Sequence, residues 1–239
     1  MKIVVTGGTG KAGRWVVSHL REAGYDVLNV DWKHDGSDHG LCLVTDLSDP
    51  GQAFEALAGA EGVVHLAAIP APELRPAAET FRINMLSTYN VFAAAEAHGV
   101  GRMVYASSET VLGLPFDEPP AFAPIDEKHP PRPESSYSLA KLAGETLADQ
   151  FTRRTGVPYV GLRISNIMEP EDYQAFPSFW DDATLRKWNL WGYVDARDVA
   201  AACRRGLEAS LTGHEIAIIA AADTCMTRDS ADLLSLIHI

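Results

Sequence analysis

The 239-residue sequence has few cysteines, fewer basic than acidic residues and no long apolar run. Its three cysteines are odd in number and far apart, which argues against a disulfide framework, and no metal site is predicted. Lys and Arg number 20 against 32 Asp and Glu, and the net charge of -12 argues against nucleic acid and anionic membranes as partners. No apolar run approaches the ~20 residues of a membrane-spanning helix.

The first residues form an apolar strand that runs directly into a glycine cluster, which leaves no room for a signal peptide. The scattered cysteines agree with this, so a cytoplasmic location is expected. His34 and His39 lie in a short polar stretch, which is interpreted as a solvated loop and not as a metal site.

Short apolar runs alternate with amphipathic segments over residues 3–164. The runs are continuous, which is typical of parallel strands that helices cover on both faces. This alternation predicts an α/β protein with a doubly wound, parallel-sheet Rossmann fold. Strands are expected at 3–6, 26–31, 41–45, 63–67, 102–107 and 158–164, and helices at 13–23, 52–57, 77–98 and 136–155.

Residues 1–164 are predicted to form the cofactor-binding domain. Residues 165–239 are expected to complete the sheet and to contribute a small, incomplete substrate-binding part, with a strand at 190–195, a helix at 196–210 and a strand at 215–220. The segment 115–133 holds seven of the 14 prolines and is expected to form a lid. An uncapped apolar run at 233–239 suggests that the chain is a shortened form of a longer protein.

Glycines at 7, 10 and 13 follow the first strand and open the first helix. Gly7 permits the tight turn, Gly10 allows a pyrophosphate to approach, and Gly13 lets the helix lie close to the sheet. The N–H groups at the start of that helix, around Lys11 and Ala12, then face the phosphates. This arrangement predicts a dinucleotide-binding site.

Asp31 ends the second strand, about twenty residues after the glycine turn. A carboxylate there accepts hydrogen bonds from a ribose and repels a 2′-phosphate, which favours NAD over NADP. Lys33 lies two residues later, and its positive charge weakens this preference for NAD over NADP.

Tyr137 and Lys141 are four residues apart, so they share one face of a predicted helix. A nearby ammonium and a positively charged nicotinamide are expected to lower the tyrosine pKa and make Tyr137 a proton acceptor. Ser108, at the end of the fifth predicted strand, is expected to hold the reacting oxygen.

These motifs resemble the extended short-chain dehydrogenase/reductase superfamily, and specifically the NAD-dependent epimerase/dehydratase family. The Y-x-x-x-K pair, the glycine spacing and the Ser-ended strand occur in the family's order. The resemblance implies that Ser108, Tyr137 and Lys141 are catalytic. Beyond the glycine turn and Asp31, it implies that the cofactor contacts comprise Asp46, Leu47, Leu66, Ala67, Ala68, Asn84, Tyr137, Lys141 and Ile164.

Residues 163–182 resemble the uronate dehydrogenases in particular. That resemblance implies that the substrate contacts include Ser107, Ser108, Glu109, Ser165, Asn166 and Gln174. Gln174 stands where an arginine is expected to hold a substrate carboxylate. A neutral aldose or another polyol therefore stays open beside a uronate, and Arg186 is a possible substitute for the missing arginine.

The expected activity is an NAD(P)-dependent oxidoreductase that moves hydride between nicotinamide and a hydroxyl of a sugar or sugar acid. Two alternatives stay open. One is a nucleotide-sugar epimerase that uses a transient internal oxidation, and the other is a non-catalytic NAD-binding sensor. The resemblance also implies a homodimer, in which the two long helices pair with their symmetry mates.

Overall fold

The computed structural model describes residues 1–34 and 42–237. Seven strands within these residues form one parallel sheet with the order β3-β2-β1-β4-β5-β6-β9, and β7 pairs separately with β8. The strands are β1 (Lys2–Thr6), β2 (Asp26–Asp31), β3 (Cys42–Val44), β4 (Gly62–His65), β5 (Arg102–Ser108), β6 (Tyr159–Ile164), β7 (Ile167–Met168), β8 (Val194–Asp195) and β9 (His214–Ile219). His39, the start of the predicted third strand at Leu41 and the last two residues lie outside the described residues.

Helices cover both faces of the sheet. They are α1 (Gly13–Glu22), α2 (Pro50–Ala56), α3 (Ala77–Ala97), α4 (Ser136–Thr155), α5 (Ala196–Glu208) and α6 (Ser230–Ser235). Phe92 and Phe151 belong to the core between the sheet and α2, α3 and α4. Val16 and Val199 belong to the core on the opposite face, under α1 and α5. The doubly wound α/β fold predicted from the alternation is confirmed.

The order of the strands in the sheet indicates where a ligand-binding crevice lies. β1 lies between β2 and β4, so the chain changes direction across the sheet at this point. Ligands of such sheets bind outside the carboxyl ends of the strands at this switch point. The register of β5 and β6 pairs Ser108 with Ile164, so the residues that follow both strands leave the sheet at the same edge.

The helix that carries the Tyr-Lys pair has well-defined ends. The Ser135 hydroxyl accepts from the Ser138 amide at 3.1 Å, and the Ser138 hydroxyl accepts from the Ser135 amide at 2.9 Å. This reciprocal capping satisfies two amide groups at the start of α4. Gly156, with φ of +75°, ends the helix in the left-handed region. The predicted bounds 136–155 are confirmed, and Tyr137 lies in the first turn.

The segment from Gly113 to Glu134 contains neither helix nor strand, as its prolines predict. Glu127 accepts from the Ile218 amide at 2.9 Å, which attaches this segment to the edge strand β9. Phe116 and Ile125 pack on a small apolar cluster that includes Leu112 and Leu114. The segment therefore packs against the fold, and its role as a lid stays a prediction.

The predicted strand at 190–195 is wrong for most of its length. Leu190 and Trp191 have φ of +53° and +59°, which no strand allows, and only Val194–Asp195 is extended. Two 3₁₀ helices, Asp172–Phe179 and Ala183–Asn189, precede this turn. The turn buries the Trp191 indole, whose N–H donates to the Ala183 carbonyl at 2.6 Å.

The segment after residue 164 divides its contacts between two cores. β9 joins the main sheet by pairing with β6, and α5 packs in the same core as α1. Trp191, Tyr193 and Leu233 belong to a separate apolar cluster. The boundary at 164/165 stays a prediction, because its second part also completes the main sheet.

A buried ion pair connects α4 to β5 and β6. Arg163 donates to Glu145 from Nε and Nη2 at 3.0 and 2.9 Å. The Ser107 hydroxyl donates to the same carboxylate at 2.6 Å. The carboxylate therefore receives three hydrogen bonds in a buried position, which is the condition under which a buried charge is tolerated.

We expect Glu145→Ala to lower the free energy of unfolding by about 3–5 kcal/mol, because it leaves the Arg163 charge buried without a partner. Glu96→Ala is the matched control, since Glu96 pairs with Arg154 at the surface and should contribute about 1 kcal/mol or less. Urea unfolding of both variants measures the difference. Equal losses would show that the buried pair has no special role.

Candidate active site

The glycine turn is shaped by two backbone contacts. Gly7 has φ of +71°, and a Cβ there would lie 2.6 Å from the Ala67 amide nitrogen. A Cβ at Gly13 would overlap the Gly7 carbonyl oxygen. A Cβ at Gly10 would instead meet only that oxygen, at 3.2 Å, so this side of the turn is open.

The start of α1 adds amide groups to this open side. Ala12 is the residue before the helix, and no side chain among the described residues caps it. The Arg14 amide donates to the Gly10 carbonyl at 3.1 Å. The positive end of the helix dipole favours an anion at this side of the turn. Lys11 forms an ion pair with Asp172. The turn and helix together fit the pyrophosphate of a dinucleotide.

Asp31 is buried and held against the glycine turn. One of its oxygens accepts from the Thr9 amide at 3.0 Å and from the Thr9 hydroxyl at 2.6 Å. The other accepts from the Trp32 amide at 2.8 Å. Lys33 lies over the Trp32 ring, 5.5 Å from its centroid. The negative charge of Asp31 is therefore placed where it would disfavour the 2′-phosphate of NADP. The contact of Asp31 with the ribose stays a prediction.

The neighbouring cofactor-contact candidates Asp46 and Leu47 have different surroundings. Asp46 is exposed and accepts from the Ser48 amide and hydroxyl at 2.9 and 2.7 Å. Leu47 turns its side chain into the core, and its carbonyl accepts from Asn90 at 3.0 Å. The Leu47 side chain is buried in the core, so only its backbone is left to contact a cofactor, and its cofactor contact stays a prediction. The role of Asp46 stays a prediction.

The segment after β4 borders the same crevice. Leu66, Ala67 and Ala68 are half-buried there. The Asn84 amide group accepts from the Ile69 N–H at 2.8 Å and donates to the Ile69 carbonyl at 3.1 Å. Asn84 therefore holds this segment in place from α3. Its predicted contribution to the cofactor site is consistent with such a positioning role.

Ser108, Tyr137 and Lys141 meet at the carboxyl end of β5. The Tyr137 and Ser108 side chains are hydrogen-bonded. The Ser108 hydroxyl also accepts from the Thr110 amide at 3.2 Å and from the Thr110 hydroxyl at 2.9 Å. Lys141 Nζ donates to the Ala106 carbonyl at 2.8 Å and lies 5.8 Å from the centre of the Tyr137 ring. The three predicted catalytic residues are therefore brought together.

Burial is the largest influence on the pKa values of Tyr137 and Lys141. It raises the pKa of Tyr137 to about 12, and the hydrogen bond to Ser108 lowers that pKa only in part. Burial also lowers the pKa of Lys141 to about 8. The expected lowering of the Tyr137 pKa is thus not achieved by the protein alone. Two positive charges were expected to lower this pKa, the Lys141 ammonium and the oxidised nicotinamide. Of these, only the nicotinamide is left to do so.

The Ser107 hydroxyl is already engaged within the protein, so its substrate contact stays a prediction. It donates to Glu145 beneath the sheet, as described above. Consecutive residues of a strand point to opposite faces, so the Ser107 and Ser108 side chains leave the strand in different directions. The bond to Glu145 gives Ser107 a role in holding β5 against α4. Ile164 is buried in register with Ser108, and its cofactor contact stays a prediction.

Glu109 directly follows Ser108 in the chain and contacts other residues of the predicted substrate site. It accepts from the Ser165 hydroxyl at 2.5 Å and from the Asn166 amide and the Asn189 side chain. Burial raises the pKa of Glu109 to about 7, against these hydrogen bonds and the charge of Arg186, which lower it. Three of the predicted substrate residues, Glu109, Ser165 and Asn166, therefore lie together.

Gln174 does not join them. Its side chain is exposed on the 3₁₀ helix 172–179, and the neighbouring Tyr173 donates to Asp195 at 2.7 Å. The prediction that Gln174 contacts substrate is not supported by this placement. The residues found instead are Asn189, which the sequence reasoning missed, and Arg186, which it named only as a substitute. Both donate to the Gly192 carbonyl, which directly follows the left-handed turn at Leu190 and Trp191. A tryptophan-rich segment was the sole signal in the sequence.

Neither a metal-binding cluster nor a membrane-spanning helix is found in the part of the chain that the structure describes. No three His, Cys, Asp or Glu residues among residues 1–34 and 42–237 are grouped so as to hold a metal. None of the helices described is both long and apolar enough to cross a membrane.

Comparison with known proteins gives a consistent result. Residues 3–219 match the model of the NAD dependent epimerase/dehydratase family. An L-arabinose 1-dehydrogenase (NAD(P)(+)) of Haloferax volcanii is 29% identical over 91% of this chain and 86% of its own length. A uronate dehydrogenase of Pseudomonas syringae pv. tomato is 28% identical over 77% of this chain and 66% of its own. A short-chain dehydrogenase/reductase superfamily protein from Agrobacterium tumefaciens, solved with bound NAD, has a TM-score of 0.79 and 26% identity, covering 99% of this chain and 81% of that one.

We expect the two glycine variants of the turn to separate folding from cofactor binding. Gly13→Ala should lower the free energy of unfolding by about 1–3 kcal/mol, because its methyl group overlaps the turn. Gly10→Ala should change that free energy by less than about 1 kcal/mol, yet weaken NADH binding about tenfold or more by blocking the pyrophosphate. Urea unfolding and NADH fluorescence measure the two effects. Unchanged NADH affinity in Gly10→Ala would argue against this binding site.

Proposed function

Because the chain belongs to the NAD-dependent epimerase/dehydratase family, we propose that it is an NAD-dependent oxidoreductase acting on a hydroxyl group of a sugar or sugar acid. The observation that carries this proposal is the meeting of Ser108, Tyr137 and Lys141 at the sheet edge that also carries the glycine turn. The L-arabinose and uronate dehydrogenases among the relatives support it. The carboxylate of Asp31 supports NAD over NADP.

NAD, when bound, supplies the hydride acceptor. The glycine turn and the first amides of α1 would hold its pyrophosphate, and Asp31 would hold its adenine-side ribose. Lys141 Nζ would add hydrogen bonds to the nicotinamide ribose. Together these contacts would orient the dinucleotide along the carboxyl ends of β1, β4 and β5.

The chain's own residues would handle the proton. Ser108 Oγ would hold the substrate hydroxyl, and Tyr137 Oη would remove its proton as the carbonyl forms. Burial keeps Tyr137 protonated in the protein alone, since its pKa is raised to about 12. A positive nicotinamide beside it would lower that pKa, so that proton acceptance would be tied to the presence of oxidised cofactor.

The test is NADH formation, followed by absorbance, with NAD and a panel of aldoses, uronic acids and polyols. Tyr137→Phe should reduce kcat by about 10²–10⁴-fold, the usual contribution of a positioned acid or base. Tyr25→Phe is the matched control, because the Tyr25 hydroxyl bonds Glu208 outside the site. If Tyr137→Phe retained full activity, this assignment of the base would be wrong.

The same assay separates the alternatives. An epimerase would form no net NADH with free sugars but would convert a nucleotide sugar to its epimer, which chromatography detects. A sensor would bind NADH and do neither. The intact group of Ser108, Tyr137 and Lys141 favours catalysis over sensing.

We also propose that the enzyme is a homodimer formed through α3 and α4. Leu86 and Tyr89 are 39% and 50% exposed on α3, and Leu139 is 47% exposed on α4. Two such helices and their symmetry mates would form a four-helix interface that covers these side chains. The cytoplasmic location stays a prediction.

Sedimentation velocity should therefore give a dimer for the wild-type chain. Leu86→Glu should shift the protein to monomer, because it places an unpaired charge in the interface. Leu74→Glu is the control, since Leu74 is also exposed but lies outside both helices. A monomeric wild-type protein, or equal effects of the two variants, would contradict this interface.

A further inference from the structure

A polar cluster lies directly beside the catalytic serine. We call Glu109, Ser165, Arg186 and Asn189 the Glu109 cluster. Ser165 donates to the Glu109 carboxylate at 2.5 Å, and Asn189 also donates to it. A Cβ at Gly192 would lie 3.3 Å from Ser165 Oγ and 4.0 Å from Glu109 Oε2. A glycine at 192 thus keeps space next to these side chains.

Several contacts hold Arg186 in this cluster. Its guanidinium lies near two aromatic rings, 5.3 Å from the centre of Phe179 and 5.2 Å from that of Trp188. It donates to the Gly192 carbonyl at 3.2 Å. Its positive charge also acts on Glu109. Arg186 therefore already has a negative partner, which reduces its capacity to bind an anionic substrate group.

Two atoms of the cluster carry unused hydrogen-bonding capacity. Arg186 is 7% exposed and Asn189 is 3% exposed. Arg186 Nε, a donor, and Asn189 Oδ1, an acceptor, have no hydrogen-bond partner among the described residues. Buried polar atoms are almost always paired in folded proteins. A donor and an acceptor left over in one cluster match hydroxyl groups, which both donate and accept.

The charge of Glu109 sets what this cluster can accept. A carboxylate accepts hydrogen bonds from sugar hydroxyls, but a second carboxylate beside it is repelled at short distance. The exposed Gln174 carries no compensating positive charge. The cluster is therefore better matched to a neutral polyhydroxyl group than to a carboxylate.

Resting on the oxidoreductase function proposed above, we propose that Glu109, held by Ser165 and Asn189, selects a neutral aldose and rejects the corresponding sugar acid. Rejection uses the repulsion between Glu109 and a substrate carboxylate. Selection uses hydrogen bonds from substrate hydroxyls to the cluster. The relatives include both an L-arabinose and a uronate dehydrogenase, so their names alone do not decide between the two substrate classes.

The pH dependence follows from the groups that face Glu109. These are Arg186 and Asn189 on the 3₁₀ helix 183–189, Ser165 and Asn166 after β6, and Tyr137 on α4. The pKa of Glu109 is raised to about 7, so the side chain is ionised above that pH and neutral below it. A sugar carboxylate stays ionised throughout this range. Discrimination against the sugar acid should therefore be strong at pH 8.5 and weaker at pH 6.

The experiment compares kcat/KM for D-galactose and D-galacturonate at pH 6 and pH 8.5. The wild-type enzyme should prefer galactose at pH 8.5, and Glu109→Gln should shift the ratio toward galacturonate by about tenfold or more. The shift between the two pH values should disappear in this variant. Glu55→Gln, exposed on α2, is the control and should leave the ratio and its pH dependence unchanged.

The variant Arg186→Gln tests the alternative that Arg186 binds the carboxylate of a sugar acid. Loss of Arg186 removes a charge that stabilises ionised Glu109, so the pKa of Glu109 should rise and the preference for galactose should appear at a higher pH than in the wild type. If Arg186 instead held a substrate carboxylate, galacturonate activity would fall selectively at pH 6, where Glu109 is neutral, by about tenfold or more. That fall would overturn the proposal.

The outcomes also separate this inference from the proposed function. NADH formation with an unchanged ratio in Glu109→Gln, or a wild-type preference for galacturonate at pH 8.5, would overturn the inference alone. No NADH from any sugar of the wider panel would overturn the oxidoreductase proposal and this inference with it. Urea unfolding of each variant verifies that a lost activity does not come from a lost fold.

Discussion

The buried carboxylate of Glu145 connects the elements on which the site depends. It is on α4, two turns after Tyr137, and it bonds Arg163 on β6 and Ser107 on β5. The three hydrogen bonds to this carboxylate, two from Arg163 and one from Ser107, fix the helix that carries Tyr137 and Lys141 against the strand that ends at Ser108. A small shift of α4 along the sheet would break all three bonds at once. The geometry of the catalytic group therefore depends on a buried charge pair.

Burial is the second constraint, and it acts on each ionisable group of the site differently. It raises the pKa of Tyr137 and of Glu109 and lowers that of Lys141. All three changes favour the neutral form of the side chain. The protein thus brings titratable groups close together without concentrating charge. Charge supplied by a bound cofactor can then have a large effect.

Two ion pairs join the phosphate turn to the substrate side. Lys11 pairs with Asp172, and Arg14 pairs with Glu169, which also accepts from the Trp15 indole at 2.6 Å. The first turn of α1 is therefore attached to the segment that leads toward Arg186 and Asn189. The turn that fits the cofactor and the segment that lines the substrate side are parts of one connected structure.

The sequence by itself determined the α/β layers, the glycine turn and the positions of Ser108, Tyr137 and Lys141, because these depend on local periodicity and on spacing along one helix or strand. It could not determine that the Ser107 hydroxyl is bound to Glu145 or that burial raises the pKa of Tyr137. Nor could it place Arg186 and Asn189 beside Glu109. Those features depend on the left-handed turn at Leu190 and Trp191 and on contacts between residues far apart in the chain, which only the packed tertiary structure decides.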